Sequence, residues 1–414
     1  MPFCHASATH SFLTSDVDRI AGELQAQDGL HNPYRKLSVL ALGFPVLLHT
    51  IISIAAEHLH LLGHCSAKLA VTHHDRAIRS IRLGLAGRRS PSPLSSEDCI
   101  SSSHGITADQ ALLAAILLQP AVIAYSGNAA SSSQTHLDIA FYILNQLDYI
   151  CTVKVMDFFI PRLLVQRFAI ADLGTSIYYR RRPRMSLVGC WFSSSSKDDM
   201  IDKTQPSFRE MTGCPHSVFV FLLRVMHLAA DLSLSERPSR DVYCDAIALE
   251  TDMRVHDAVV VRRSGGSSGT MKNKHMETIC RAFIQIGLLL LCRRVFAESP
   301  SSPRVQHAMS TIFTLLDSIP VTTTDESSNG NLIRSGVDSA SGLPFYLAAR
   351  EAVTKEDQQW VTLKHKMWRK VYPNPARVQL MEVAEKIWLE RDRGVHDIEQ
   401  RCELVERGCE AYIF

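Results

Sequence analysis

Apolar residues recur at three- and four-residue steps along most of the chain, the spacing that places side chains on one face of an α-helix. In residues 37–62 this pattern runs through Leu47, Ile51 and Ile54. Pro45 fits the first turn of a second helix there better than the interior of one long helix, because proline has no amide hydrogen to donate. The same periodicity predicts further helices over residues 68–85, 108–124, 136–147, 157–177, 217–232, 273–296, 303–318, 343–353, 358–371 and 374–393.

Helix-start signals accompany some of these segments, whereas evidence for β-strands is thin. Thr107 and Asp109 stand just before an apolar run, and Ser302-Pro303 is typical of an N-cap followed by a first-turn proline. Residues 258–261 (Ala-Val-Val-Val) are mostly β-branched, but so short a run fits a strand and a helical turn equally well. Helix is therefore the dominant predicted element.

Four polar stretches rich in Ser, Gly and Thr separate the helical blocks and are expected to be mobile surface loops, at residues 87–105, 193–206, 264–269 and 322–342. No motif recurs at the periods of about 34 or 40 residues that mark helical repeats. The sequence predicts an all-α fold, a large multi-helix bundle of about ten to fifteen helices joined by Ser/Gly-rich loops. The helical domain is expected to span 30–395, between an N-terminal tail with a lead-in helix (1–29) and a C-terminal tail (396–414).

The small net charge limits the partners that the chain as a whole can attract electrostatically. The 414 residues include 44 Lys and Arg against 42 Asp and Glu, a net charge of +2. The chain as a whole therefore has no strong electrostatic attraction to nucleic acid or anionic lipid, and any such contact has to come from a local patch.

Cysteine usage and hydropathy indicate a soluble intracellular protein. The 11 cysteines are odd in number and contain no C-x-x-C pair, which is neither a disulfide framework nor a zinc-ribbon pattern. The N-terminus lacks the basic region, apolar run and cleavage site of a secretion signal. The longest apolar candidate, residues 111–125, is interrupted by Gln119 and Pro120, so no membrane span is expected.

Motifs for catalysis and metal binding are weak. Residues 265–269 match the G-x-S-x-G nucleophile elbow, but that motif needs a preceding strand, and the sequence here favours a flexible loop. His60 and His64 would share one helix face and are a candidate metal pair, although such histidines are more often core or surface residues. The sequence contains no glycine motif for phosphate binding. No catalytic residue, metal ligand or cofactor is assigned.

One basic run stands out at residues 178–184, which read Tyr-Tyr-Arg-Arg-Arg-Pro-Arg. Arg180, Arg181, Arg182 and Arg184 form a dense, exposed positive charge that is a candidate for a nuclear import signal or a phosphate contact. The alternative is a solvated helix end, because cations are favourable at the C-terminus of the preceding helix. Both interpretations stay open at this point.

Six sets of segments follow one another in an informative order: residues 32–36 with 40–59, 74–78, 111–123, 136–140, 212–215 with 218–229, and 343–352 with 387–392. Residues 212–215 (TGCP) are similar to a G-C-P motif, residues 343–352 (LPFYLAAREA) to W-P-L-F-I-A-G-x-E-A, and residues 387–392 (IWLERD) to V-W-x-x-R-D. In this order they resemble the regulatory domain of fungal zinc-cluster (Zn(II)2Cys6) transcription factors. The resemblance covers about residues 30–395.

The resemblance implies a nuclear regulator of RNA polymerase II genes that acts through protein partners of the transcription machinery, with a small-molecule effector and a homodimer as further expectations and no membrane contact. An internal pocket in the helical bundle could bind such an effector and shift the bundle between two packings. The alternative, a helical scaffold or interaction module with no transcriptional role, stays open. Side chains expected in the core are Leu47, Ile51, Ile54, Ile116, Phe219, Leu223 and Trp388.

The zinc cluster of that family is missing from this sequence. Family members hold two zinc ions with six cysteines in the spacing C-x-x-C-x(6)-C, repeated once, and that module places a helix in the major groove of DNA. Cys402 and Cys409 show one C-x(6)-C spacing without C-x-x-C partners. Zinc and direct DNA contact are therefore not transferred to any residue here, and DNA is expected to be reached only indirectly or through an N-terminal module. Two explanations stay open. The protein is a natural regulatory domain without a DNA-binding module, or its translation start has been assigned too far downstream.

Overall fold

The computed structural model describes residues 16–22, 24–26, 31–87, 106–126, 133–150, 158–187, 207–266, 271–319, 340–371 and 374–394. These residues form helices and turns with no strand among them, so the predicted all-α bundle is confirmed. After a short helix at 16–22, the labelled helices are α1 (Pro33–Leu40), α2 (Pro45–Leu61), α3 (Ala67–Gly87), α4 (Ala108–Ser126), α5 (Ser133–Gln146), α6 (Phe159–Tyr179), α7 (Phe208–Thr212), α8 (His216–Ser233), α9 (Ser239–Gly266), α10 (Met271–Leu290), α11 (Pro303–Asp317), α12 (Gly342–Arg350), α13 (Lys355–Val371) and α14 (Pro375–Asp392). A 3-10 turn (Ala41–Gly43) joins α1 to α2, and a π-helical turn (Leu291–Val295) follows α10.

Several helices begin where the sequence predicts. Pro45 occupies the first turn of α2, as expected from its missing amide hydrogen. The amide of Gln110 donates to Thr107 Oγ1 at 3.2 Å, and Gln110 Oε1 accepts from the amide of Thr107 at 2.9 Å, which is a capping box. Ser302 Oγ accepts from the amide of Val305 and caps α11, which Pro303 begins. Local side-chain chemistry therefore sets these boundaries.

One long helix of the structure, α9, is not among the helices predicted from the sequence. Its buried positions, Val242, Ala246, Leu249 and Met253, follow a narrow stripe at four- and three-residue steps, and most of the other side chains described in this helix are exposed. So narrow a stripe gives a weak apolar periodicity. The run 258–261 lies inside this helix and is not a strand, and residues 264–266, which were expected to form a loop, continue the helix. Residues 267–269 and almost all of the other three polar stretches lie outside the described residues.

The expectation that no stretch is long and apolar enough to span a membrane is wrong for three of the described helices. By length and composition alone, Ala108–Ser126, His216–Ser233 and Lys274–Val295 reach that threshold. Pro120 does not interrupt the first of them, because α4 continues through it. Inside the protein 89, 56 and 83% of these apolar windows are buried. Packing against other helices therefore covers most of the first and third windows and about half of the second.

The core joins two groups of helices. In the N-terminal group α2 packs against α3 and α4, and α4 also contacts α5 and α6; in the C-terminal group α10 packs against α8, α9, α11 and α12. Contacts of α6 with α8 and of α4 with α14 connect the two groups. The core prediction is confirmed for Leu47, Ile54, Ile116, Phe219, Leu223 and Trp388, all of which are buried. Ile51 is half-buried at the edge of the core.

Candidate functional site

The basic run lies at the C-terminal end of α6, where the chain reverses. Arg180 takes a left-handed backbone conformation (φ 53°), and its amide donates to the carbonyl of Ser176. This turn directs the next residues back along the last turns of α6 instead of out into solvent. The guanidinium groups of Arg181 and Arg184 thereby reach Asp172, which lies two helical turns before Arg180.

Asp172 is fully buried and accepts hydrogen bonds from four donors. Its Oδ1 accepts from the guanidinium groups of Arg181 and Arg184, each at 3.1 Å. Its Oδ2 accepts from the backbone amides of Arg184 at 2.6 Å and Met185 at 3.0 Å. An ionised carboxylate without partners would be strongly unfavourable in the interior, and these donors compensate its lost hydration.

The neighbouring arginines extend this network to other helices. Arg182 donates to Asp231 of α8 at 2.6 Å and to Glu236, just beyond α8, at 2.5 Å. Arg184 also pairs with Asp138 of α5. We call this set of ion pairs the arginine hub. It consists of Arg181, Arg182 and Arg184 together with Asp138, Asp172, Asp231 and Glu236. The hub connects α5, α6 and α8.

A histidine of α8, His227, contacts the segment after α6 that carries Arg182 and Met185. His227 Nε2 donates to the carbonyl of Met185 at 3.0 Å, and Arg182 lies 3.4 Å from His227 Nδ1. Burial lowers the pKa of His227, and the nearby Arg182 lowers it further. The neutral ring can donate through one nitrogen and accept through the other, which is what this position requires.

The expectation of a dense exposed charge is therefore corrected for three of the four arginines. Arg180 is exposed, whereas Arg181, Arg182 and Arg184 are half-buried and paired with carboxylates of the same chain. The reason is local, because the left-handed turn at Arg180 folds the run onto its own helix. The import or phosphate-binding role itself stays a prediction.

A second buried carboxylate, Glu351, lies at the end of α12. Arg293 Nε is 3.0 Å from its Oε2, and a guanidinium nitrogen of Arg391 is 4.0 Å from the same oxygen. Arg391 also donates to the carbonyls of Arg350 and Ala352, each at 3.0 Å. The two C-terminal segments that carry the family resemblance, 343–352 and 387–392, are thus in direct contact.

The glycine of the TGCP segment has a steric reason to be there. Gly213 ends α7 with φ +76°, a conformation that favours glycine. A Cβ at this position would lie 2.7 Å from the Cβ of Ala340 and 2.9 Å from a methyl group of Ile279. The turn therefore needs a residue without a side chain, because α10 and the start of the α12 region approach it closely.

A small apolar cavity lies beside the helix at 16–22. Its volume of about 20 Å³ is room for roughly one water molecule. Two side chains hold the helix at 16–22 against α2. A carboxylate oxygen of Asp16 lies 2.9 Å from His58 Nδ1, and a guanidinium nitrogen of Arg19 lies 2.8 Å from His58 Nε2. A larger ligand would have to displace this segment. The cavity is lined by Val17, Ile20, Ala21, Leu24, Tyr34, Leu37, Ser38, Ile51, Ile54 and Leu118.

The candidate metal and hydrolase motifs are not assembled as active centres in the described residues. His60 Nδ1 lies 3.1 Å from the carbonyl of Cys65, and no group of three or more His, Cys, Asp or Glu in the described ranges could hold a metal ion. The helix α9 runs to Gly266, where the nucleophile elbow would need a strand, and Ser267 lies outside the described residues.

The buried carboxylates at the centre of the two charged networks described above could not be identified from the sequence. Asp172 and Glu351 carry the two charged networks, yet each looks like an ordinary polar residue of a helical segment. A signal was present at Asp172, since a lone carboxylate within the apolar stretch 168–173 (FAIADL) needs a buried partner. Nothing in the sequence, however, indicated which cations would supply it.

The chain matches a known protein family. The family model described as "Fungal specific transcription factor domain" matches residues 17–408, nearly the whole chain. No curated protein and no solved structure gives a significant match. The family is one of transcription factor domains and is not an enzyme family. In agreement with the resemblance of its segments, the chain belongs to the fungal specific transcription factor domain family.

Proposed function

We propose that this chain is the regulatory domain of a nuclear regulator of RNA polymerase II genes, and that it acts by binding protein partners of the transcription machinery. The observation that carries this proposal is the family match over residues 17–408. The all-helical architecture supports it, because a bundle with exposed helices offers surfaces for partner proteins. Catalysis is not part of the proposal.

The arginine hub supports action through proteins in preference to direct contact with DNA. Its three guanidinium groups face four carboxylates of the same chain, so their charge is balanced within the fold. DNA binding without sequence readout depends on Lys and Arg that are available to phosphates. In this proposal, DNA is read by a separate module, which the resemblance identifies as a zinc cluster.

The hub and the Glu351 network would make the domain respond as one unit. The hub joins α6 of the N-terminal group to α8 of the C-terminal group, and the Glu351 network ties the turn after α10 to α14. A partner or effector that shifts one group relative to the other would therefore have to break or rearrange the ion pairs of the hub, which join the two groups. Such coupled contacts favour two discrete packings over gradual deformation.

A tethered reporter assay tests the proposal. Residues 1–414 would be fused to an unrelated DNA-binding module placed upstream of an RNA polymerase II promoter, with the module alone as the baseline. We expect reporter output to change several-fold, in either direction, and a fluorescent fusion of the chain to accumulate in the nucleus. Unchanged output together with a diffuse cytoplasmic distribution would contradict the proposal and favour the scaffold alternative.

A matched pair of variants connects that assay to the structure. Asp172→Asn removes the central charge of the hub, whereas Asp252→Asn makes the same change at an exposed ion pair with Arg224. We expect the reporter effect to be lost in the first fusion and kept in the second. Equal loss in both would show that the loss is not specific to the hub, and retention in both would show that the reporter effect does not depend on the hub.

A further inference from the structure

The helix α3 turns one of its sides to solvent. Its buried positions, Ala70, Ala77 and Ile81, form a narrow stripe, and the helix packs mainly against α2. A stripe this narrow covers only one side of a helix and leaves the opposite side open. The exposed side chains of α3 include those of residues 68, 75, 76, 79, 82 and 86.

Positive charge is concentrated on that open side. Arg76, Arg79 and Arg82 follow one another at three-residue steps, so their side chains spread over about a third of the helix circumference. Lys68 lies on the same side, about two turns earlier. The only acidic residue of α3 is Asp75. We call Lys68, Arg76, Arg79 and Arg82 the basic face of α3.

The arginines of this face differ from those of the arginine hub. In the part of the chain that the structure describes, no carboxylate lies within ion-pair distance of Arg76, Arg79 or Arg82. Each arginine of the hub, in contrast, is paired with an acid of the same chain. Like charges at such steps on one helix repel each other. An anionic partner would relieve this repulsion, so charge complementarity points to an anion as the occupant of this face.

Exposed apolar side chains within the basic face favour a polypeptide over a nucleic acid. Leu83 is 74% exposed and lies one turn beyond Arg79, and Val71 is 53% exposed about one turn beyond Lys68. A peptide can cover these two residues with apolar side chains of its own, whereas a phosphate backbone cannot. Asp75 acts in the same direction, because its carboxylate repels a uniformly negative chain.

We propose that the basic face of α3 binds an acidic segment of a partner protein, in which carboxylates alternate with apolar side chains. The carboxylates would pair with Arg76, Arg79 and Arg82, and the apolar side chains would cover Leu83 and Val71. The face is about 21 Å long, which matches about four turns of a partner helix or about six extended residues. The inference rests on the proposed function, since it names the chemistry of one partner. The binding test below uses purified protein, so it can fail independently of the reporter assay.

Fluorescence anisotropy with a labelled acidic peptide tests this surface on the full-length chain. The probe is a repeat of Glu-Leu-Glu-Glu, and the same repeat with Lys in place of Glu is the comparison peptide. We expect saturable binding of the acidic peptide that weakens with salt, and no binding of the basic peptide. Replacing Arg76, Arg79 and Arg82 together by Gln should weaken binding at least about ten-fold, because each exposed ion pair contributes a factor of about two to five.

A matched variant removes the same charge from other helices. Arg240→Gln, Arg262→Gln and Arg369→Gln change exposed arginines of α9 and α13, and together they should keep the affinity within about two-fold of the parent chain. Leu83→Ser should weaken binding of the Glu-Leu-Glu-Glu peptide and leave binding of polyglutamate unchanged, because only the first has apolar side chains. Circular dichroism would check that each variant is folded.

Several outcomes would overturn the proposal. Absence of saturable binding of the acidic peptide near physiological salt would show that this face binds no such segment. Equal weakening in the two triple variants would assign the binding to net charge, and unchanged affinity in Leu83→Ser would remove the reason for a partner with apolar side chains. Tighter binding of random-sequence duplex DNA, lost when Arg76, Arg79 and Arg82 are replaced, would assign the face to nucleic acid.

Discussion

Replacing Asp172 by Asn tests the energetic role of the arginine hub. The side chain is fully buried, and its two oxygens accept from two guanidinium groups and two backbone amides. Asparagine has nearly the same shape, but it carries no charge and directs an NH2 group at donors that need an acceptor. Arg181 and Arg184, whose side chains are only 19 and 13% exposed, would lose their buried counter-ion.

Breaking a buried ion pair by removing one partner typically costs about 3–5 kcal/mol. We therefore expect the free energy of unfolding of Asp172→Asn to fall by about that amount. Urea denaturation followed by circular dichroism would measure it. The matched control is Asp252→Asn, because Asp252 is 56% exposed and lies 3.5 Å from Arg224. Such surface pairs contribute about 0–1 kcal/mol. A difference below about 1 kcal/mol between the two variants would refute the reasoning that the hub stabilises this fold.

Two further predictions concern single residues. Gly213→Ala should lower the free energy of unfolding more than Gly63→Ala, because both have φ near +75° but only the Cβ at 213 meets neighbours, the closest being that of Ala340 at 2.7 Å; equal losses in denaturation experiments would contradict the steric argument. Burial lowers the pKa of His365 to about 4, below its value near 6.5 in the unfolded chain. The unfolded state therefore binds the proton first, and the stability contribution present above about pH 6.5 is lost as pH falls toward 4. His365→Gln should flatten that loss in pH-dependent denaturation, whereas the exposed His307→Gln should leave it as in the parent chain.

The helical fold could be predicted from the sequence because apolar periodicity and helix caps are local signals. Pro45, Thr107 and Ser302 mark helix starts in the sequence and begin or cap α2, α4 and α11 in the structure. The helix α9 could not be predicted in the same way, because only a narrow stripe of its residues is buried. Its length depends on packing against α8 and α10, which is a tertiary effect.

The charged networks could not be predicted, because they join residues far apart in the chain. The run at 180–184 is conspicuous as a cluster of charge, but its role depends on one backbone angle at Arg180 and on carboxylates at 138, 172 and 231. Charge density alone does not reveal whether an arginine faces solvent or a buried acid. The hydrogen bond between His49 and His73 could not be predicted either, since it depends on how α2 and α3 pack together.

The measurement that tests the central claim most directly is the binding of the purified chain to duplex DNA of random sequence, followed by fluorescence anisotropy at several salt concentrations. If the domain acts through proteins and its densest basic run is neutralised within the fold, we predict no saturable binding at micromolar protein near physiological salt. Saturable binding that weakens steeply with salt would contradict the account, because lysines or arginines of the folded chain would then be contacting phosphates.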